Sequence, residues 1–184
     1  MPWAERDVAK SIYQFLSRAR DGYGDKPALS FQLQSGHADK SATLSWAQFH
    51  ANVTQAANLF RSFGVGSGDV VAFVLPNCVE TAVTMVGGSV AGIVNPINPL
   101  LDADQISSIL RETKAKVVVT LRAFPKTDVA QKVAEAVRHA PDVKIVLEID
   151  LNRYLTPPKS WIVPLVRPKN PVAHNAKIKN FNTE

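Results

Sequence analysis

The sequence predicts an α/β fold: a mostly parallel sheet with helices on both faces (βαβαβαβ), preceded by an N-terminal helix and a short hairpin. Three observations carry this expectation. From Val70 onward, apolar runs of strand length alternate with apolar stripes at helical spacing. The connections between them are short, which implies right-handed crossovers and parallel pairing. Helix starts carry capping residues in register with that alternation.

Each element follows from its own pattern. Val8, Ile12, Phe15, Leu16 and Ala19 recur at helical intervals and predict an opening helix. "ALSFQL" and "SATLSW" read as short strands joined by the polar "QSGHADK", a hairpin. Trp46, Phe49, Val53, Ala56, Ala57 and Phe60 form a second helical stripe, closed by Gly64 as a C-terminal cap. "VVAFVL" (Val70 to Leu75) is unbroken apolar sequence, as expected of a strand covered on both faces. A stripe of Val79, Ala82, Val83, Val86 and Val90 then leads to the strand "GIVNPI". Ile106, Ile109, Leu110 and Thr113 lead to "KVVVTL". Val129, Val133, Ala136, Val137 and Ala140 lead to "VKIVLEI".

The caps sharpen these boundaries. Ser45 with Gln48, and Asp102 with Gln105, have capping-box spacing, flanked by Leu44/Phe49 and Leu101/Ile106 as hydrophobic staples. Asn77 and Glu80 supply a partial version. These polar residues therefore have a structural task, and Asp102 with Asp104 answers a helix dipole better than a substrate.

Bulk properties exclude several function classes. The chain has 184 residues, 46% apolar and 20% charged, enough for one domain with a sizeable core. It has neither an apolar run of spanning length nor the h-region of a secretory signal. Its one cysteine, Cys78, excludes an intrachain disulfide and suits a reducing compartment, so the cytoplasm is the expected location. The net charge of +5 is unevenly placed. Residues 1–150, the expected α/β subdomain, balance 15 basic against 15 acidic side chains. Residues 151–184 hold Arg153, Lys159, Arg167, Lys169, Lys177 and Lys179 against Glu184 alone. A neutral body argues against nucleic-acid binding. The proline-rich tail ("TPPKSWIVPLVRPKNP") is expected to form neither regular helix nor central strand.

No motif carries chemistry by itself. "GVGSGD" lies after a helix and before a strand, the reverse of a phosphate cradle, and reads as turn chemistry. His37, His50, His139 and His174 lack metal-ligand spacing. Cys78 falls at a helix start, where a dipole could lower its pKa, but a small apolar filler is the better reading. In "VNPINP" two prolines push Asn95 and Asn98 toward extended backbone, which makes a stiff seam at the carboxyl end of a strand. Ligand contact there is the alternative.

Taken as a set, "LSWAQFHANVTQAANLFRSFGVGSGDVVAFVLPNCVE", "GGSVAGIVNPINPLL" and "DQISSILRETKAKVVVT" resemble the adenylate-forming (AMP-binding) acyl-CoA synthetase family. The matching positions include Leu44, Ser45, Trp46, Gln48, Gly64, Gly68, Asp69, Val71, Leu75, Pro76, Asn77, Glu80, Gly92, Asn98 and Pro99. The resemblance implies a parent enzyme that joins a fatty or aromatic carboxylic acid to coenzyme A. ATP would be consumed, with Mg²⁺ as the accompanying cation, through an acyl-adenylate, with AMP and pyrophosphate released. It also implies that the family's "PKG" loop, aromatic-x-Thr-Glu segment, ribose-binding Asp and C-terminal lysine lie beyond Glu184. No position here matches a catalytic residue, a cofactor contact or a metal ligand of that family, so none is assigned. The expected reading is an N-terminal portion, inactive alone, whose partners are the remaining domains. The alternative is a stand-alone binding module on the same scaffold. The basic tail is expected to pack on those domains or, alternatively, to touch anionic lipid at the membrane periphery.

Overall fold

The structure, a computed structural model, describes residues 2, 5–35, 41–169 and 176–182. In chain order the elements are α1 (Ile12–Tyr23), β1 (Pro27–Phe31), β2 (Ala42–Ser45), α2 (Trp46–Ser62), β3 (Val70–Val74), α3 (Val79–Ala91), β4 (Ile93–Pro96), α4 (Ala103–Glu112), β5 (Val117–Leu121), α5 (Val129–Arg138), β6 (Ile145–Ile149), α6 (Lys159–Val166) and β7 (Lys177–Asn180). The strands β1 and β2 form the expected antiparallel pair, and part of their connection (residues 36–40, with His37) lies outside the described residues.

The main sheet has five strands, all parallel, in the order β4-β3-β5-β6-β7. Its centre is the product of composition: every residue of β3 and of β5 is buried, so both faces of these Val-rich runs need cover. The helices α1, α2 and α3 pack together, and α4 packs with α5. Because the chain steps from β3 out to β4 and then back past β3 to β5, these two helix groups lie on opposite faces.

The caps form as their residues require. Ser45 Oγ accepts from Gln48 N–H at 3.3 Å while Gln48 Oε1 accepts from Ser45 N–H at 2.9 Å. Gln105 Oε1 likewise accepts from Asp102 N–H at 3.1 Å. At the end of α2, Gly64 has φ +78°. Its N–H reaches the Arg61 carbonyl at 2.8 Å, and Val65 N–H reaches that of Phe60 at 3.1 Å. These are the two closing bonds of a Schellman turn, which need a left-handed residue. "GVGSGD" is then stapled by Asp69. Its Oδ2 accepts from Gly66 N–H at 2.7 Å and from Lys116 Nζ at 3.2 Å. Both bonds, the backbone one first, hold its carboxyl below the ordinary range.

Three expectations need correction. The helix α1 begins at Ile12, capped by Ser11, so Val8 lies outside it. Of the predicted α1 stripe only Leu16 is buried. The buried stripe of α3 is Val79, Glu80, Val83, Thr84, Gly87, Gly88 and Ala91, rotated from the predicted one, and it contains two polar residues. Finally, the tail does form a helix: α6 includes Pro164. A proline there cannot donate to the Ser160 carbonyl four residues back. Asn152 Nδ2 donates to that carbonyl instead, at 3.1 Å, so the helix tolerates it. The strand β7 also comes from the tail, but as an edge strand beside β6.

Candidate functional site

The sheet order reverses between β3 and β5, so the loops following these strands diverge and leave a crevice at their carboxyl ends. A cavity of about 540 Å³ occupies this end. Its walls come from four connections: Pro76 and Asn77 after β3, Pro99 and Leu100 after β4, Phe124 to Asp128 after β5, and Leu151 after β6. Phe31 and Leu33 close it from the hairpin side. The lining is apolar, with Asn77, Lys126, Thr127, Asp128 and Lys132 as its polar groups. Lys126 sits at φ +64°, which turns the loop sharply into α5. Lys132 is held 3.3 Å from Asp128 and 3.9 Å from Asp102. An apolar crevice with a few polar groups at this position suits a small ligand with one polar end.

The "VNPINP" residues lie beside this crevice and act as a seam. Asn98 Oδ1 accepts from Leu100 N–H at 3.0 Å, and Asn98 O accepts from Leu101 N–H at 3.2 Å. Ile97 N–H continues the β3 pairing by donating to Phe73 O at 2.9 Å. Pro99 and Leu100, rather than either asparagine, line the cavity.

A second cavity, about 830 Å³, opens between α2, the start of α3 and the segment after β6. Its floor is Glu80, only 2% exposed. Sequence reading places Glu80 in a partial cap with Asn77; the structure corrects this. The N-cap position of α3 is Cys78, and Glu80 turns inward. Its Oε1 accepts from Arg153 Nη1 and its Oε2 from the Tyr154 hydroxyl, each at 2.6 Å. Arg153 Nη1 also donates to Asn182 Oδ1 at 2.5 Å. A buried carboxylate needs such partners, and here they tie α3 to residues 151–182. Burial first, and then the bond to Glu80, push the Tyr154 hydroxyl far above its usual range. The Cys78 thiol, 5% exposed, is pushed up to about 11 by burial. Tyr154 and Cys78 are therefore a hydrogen-bond donor and a protonated core filler, not nucleophiles.

The histidines do not converge. His50 is 8% exposed. It lies against Tyr13 at a ring distance of 5.1 Å, with Ser17 Oγ 3.2 Å from its Nε2. His139 faces Glu135 at 3.5 Å, and His37 and His174 lie outside the described residues. Among the described residues no three His, Cys, Asp or Glu side chains come close enough to hold a metal ion. The Glu80 latch was missed by sequence reading because both its partners are more than 70 residues away. A glutamate in the first turn of a helix with no other charged residue, on its core-facing side, was the available signal.

This architecture, a parallel α/β sheet with an apolar crevice at the strand-order reversal, defines a class of small-ligand-binding scaffolds. The AMP-binding enzyme family model matches residues 16–176, and the chain belongs to that family. It is 36% identical over 140 residues to a marinolic acid–CoA ligase of Pseudoalteromonas sp. (strain SANK 73390), covering 75% of this chain and 21% of that one. It is 32% identical over 149 residues to an acetyl-coenzyme A synthetase of Sodalis glossinidius (strain morsitans), covering 78% and 22%. The fold matches the crystal structure of the anthranilate CoA ligase AuaEII in complex with anthranoyl-AMP. That match has a TM-score of 0.65 at 19% identity, over 80% of this chain and 26% of the other. The chain thus spans about a fifth of the length of these curated relatives.

Proposed function

We propose that this chain is the N-terminal α/β portion of an ATP-dependent acid–CoA ligase and supplies scaffold rather than reacting groups. The parent reaction converts a carboxylic acid, ATP and coenzyme A to acyl-CoA, AMP and pyrophosphate through an acyl-adenylate. The observation that carries this reading is the family match over residues 16–176, on a chain about a fifth as long as its ligase relatives. Its chemistry agrees. Adenylation needs fixed positive groups and a cation at the triphosphate, where charge develops. What the chain does supply is one wall of an apolar crevice, held rigid by the buried sheet, against which an acyl group can lie.

The test is ATP–pyrophosphate exchange by the purified 184-residue chain with a panel of fatty and aromatic acids. Exchange at the blank rate is expected. Turnover at an ordinary enzymatic rate, about 1 per second or more, overturns the reading. Translating the coding sequence past Glu184 gives a second check. A glycine-rich loop ending in Pro-Lys-Gly supports the ligase portion, and a stop codon supports a stand-alone binding module.

A further inference from the structure

We propose that the outer face of α6 is an interdomain seat, covered in the parent ligase by the remainder of the same polypeptide; this rests on reading the chain as an N-terminal portion. No residue of this helix is buried. Trp161, Ile162, Leu165 and Val166 are 70%, 49%, 83% and 60% exposed. Their spacing (i, i+1, i+4, i+5) gathers all four on one side of the helix. Single apolar residues scattered over a surface are ordinary, whereas a cluster of four large ones marks a contact.

The seat is fixed before anything covers it. Arg167, just past the end of α6, donates from Nη1 to Asp150 Oδ2 at 2.8 Å, and the Arg167 side chain is 12% exposed. Asn152 Nδ2 donates to the Ser160 carbonyl at 3.1 Å, and Lys159 Nζ is hydrogen-bonded to Gln34. A helix held this way loses little freedom when its outer face docks.

Charge and linkage select the occupant. Four cations of the late segment are engaged with the body: Arg153 with Glu80, Arg167 with Asp150, Lys159 with Gln34, and Lys179 over the Phe63 ring at 5.2 Å. Lys159 is the one charged residue of α6. What the helix turns outward is a tryptophan and three aliphatic side chains. Aromatic enrichment with charge depleted is the composition of the centre of a protein–protein interface. An anionic bilayer would instead call for a charged polar face beside the apolar one. Between a second copy and the same chain, covalent linkage decides. A tethered surface meets the ridge at an effective concentration on the order of millimolar, above that of a free copy. The chain covers 21% and 22% of its two ligase relatives, so the tethered part is the larger share of such an enzyme.

Hydroxyl-radical footprinting of the 184-residue chain and of the longer protein translated past Glu184 tests the seat. Trp161 and Leu165 should oxidise readily in the short chain and about tenfold or more slowly in the longer one, as expected of a desolvated interface centre. Trp161→Ala with Leu165→Ala should leave the thermal midpoint of the short chain in place, since neither side chain is buried there. The same pair should lower the midpoint of the longer protein. Equal oxidation in the two proteins, or an unmoved midpoint in the longer one, overturns the seat and leaves the ligase reading standing. A stop codon directly after Glu184 removes that reading and the seat with it. Protection that appears in the short chain only on self-association, or in the longer protein only with lipid vesicles, also overturns the seat and assigns the ridge to a second copy or to lipid.

Discussion

His50 shows how one side chain couples the packing of α1 on α2 to proton concentration. It projects from α2 into the α1 interface, where burial first and the Arg20 guanidinium second lower its pKa, with Asp21 opposing. The folded protein therefore favours the neutral ring more than the unfolded chain does. In the unfolded chain the imidazole takes up a proton near its ordinary value of about 6.5. Between that value and the lowered folded one the unfolded state binds more protons, so stability falls as pH falls. Below the folded value the loss stops growing. Denaturant midpoints measured between about pH 7.5 and pH 5 should show this decline in the wild type. In His50→Gln the decline should be shallower, because a neutral amide has no proton to bind. The other histidines cancel in that comparison, and identical slopes would refute the assignment of the pH response to His50.

At the scale of elements, the turn between α2 and β3 is the seam on which the sheet is built. Gly92, at the end of α3, approaches it so closely that a Cβ would lie 2.5 Å from Asp69 O and 2.7 Å from Gly66 O. Both atoms are backbone and cannot swing away, and Ile93 N–H donates to the same Asp69 carbonyl at 2.9 Å to start β4. Gly92→Ala should therefore cost about 3 kcal/mol in urea unfolding, the upper part of the overpacking range. Gly68→Ala, with nothing within 4 Å of its added methyl, should be neutral or gain about 0.5 kcal/mol through the unfolded state. Equal effects at the two positions would remove the close approach as the cause. Elements of this kind were legible where local pattern decides. The continuous Val runs of β3 and β5, the Ser45 and Asp102 caps and the Gly64 turn all form as their neighbours dictate. The α3 stripe was not, because side chains at 80 and 84 face inward for partners or packing that periodicity of apolar residues cannot show.

For the whole molecule, the part hardest to read was the segment after β6, since its structure depends on groups distant in sequence. Proline content led to the expectation of no regular helix there, and it could not reveal that Asn152 would relieve Pro164 or that β6 would leave an edge for β7. Sequence reading offered ligand contact only as the alternative at the end of the "VNPINP" strand; locating the crevice at the β3–β5 reversal required the strand order, and its lining by Phe31 and Leu33 required the hairpin's position. Glu80 is one of the ties between the late segment and the early body, through Arg153, Tyr154 and, by way of Arg153, Asn182. Replacing it by glutamine keeps the volume but turns one acceptor into a donor facing Arg153 Nη1 or the Tyr154 hydroxyl. An acceptor lost in a buried site costs about 1–3 kcal/mol. Arg153 is half exposed, so water can take back part of its charge and the lower half of that range is expected. The effect should also be directional. Amides of Lys177 to Asn180, which pair with β6 and lie just before Asn182, should exchange hydrogen faster in Glu80→Gln. Those of β3 and β5, sealed at the centre of the sheet, should slow or quicken only with global stability. Tyr154→Phe in the Glu80→Gln background should add less than it does alone, because the hydroxyl's partner has already changed. If β7 exchange is unaltered and the two substitutions are simply additive, the late segment is held by β6 alone and Glu80 is no latch.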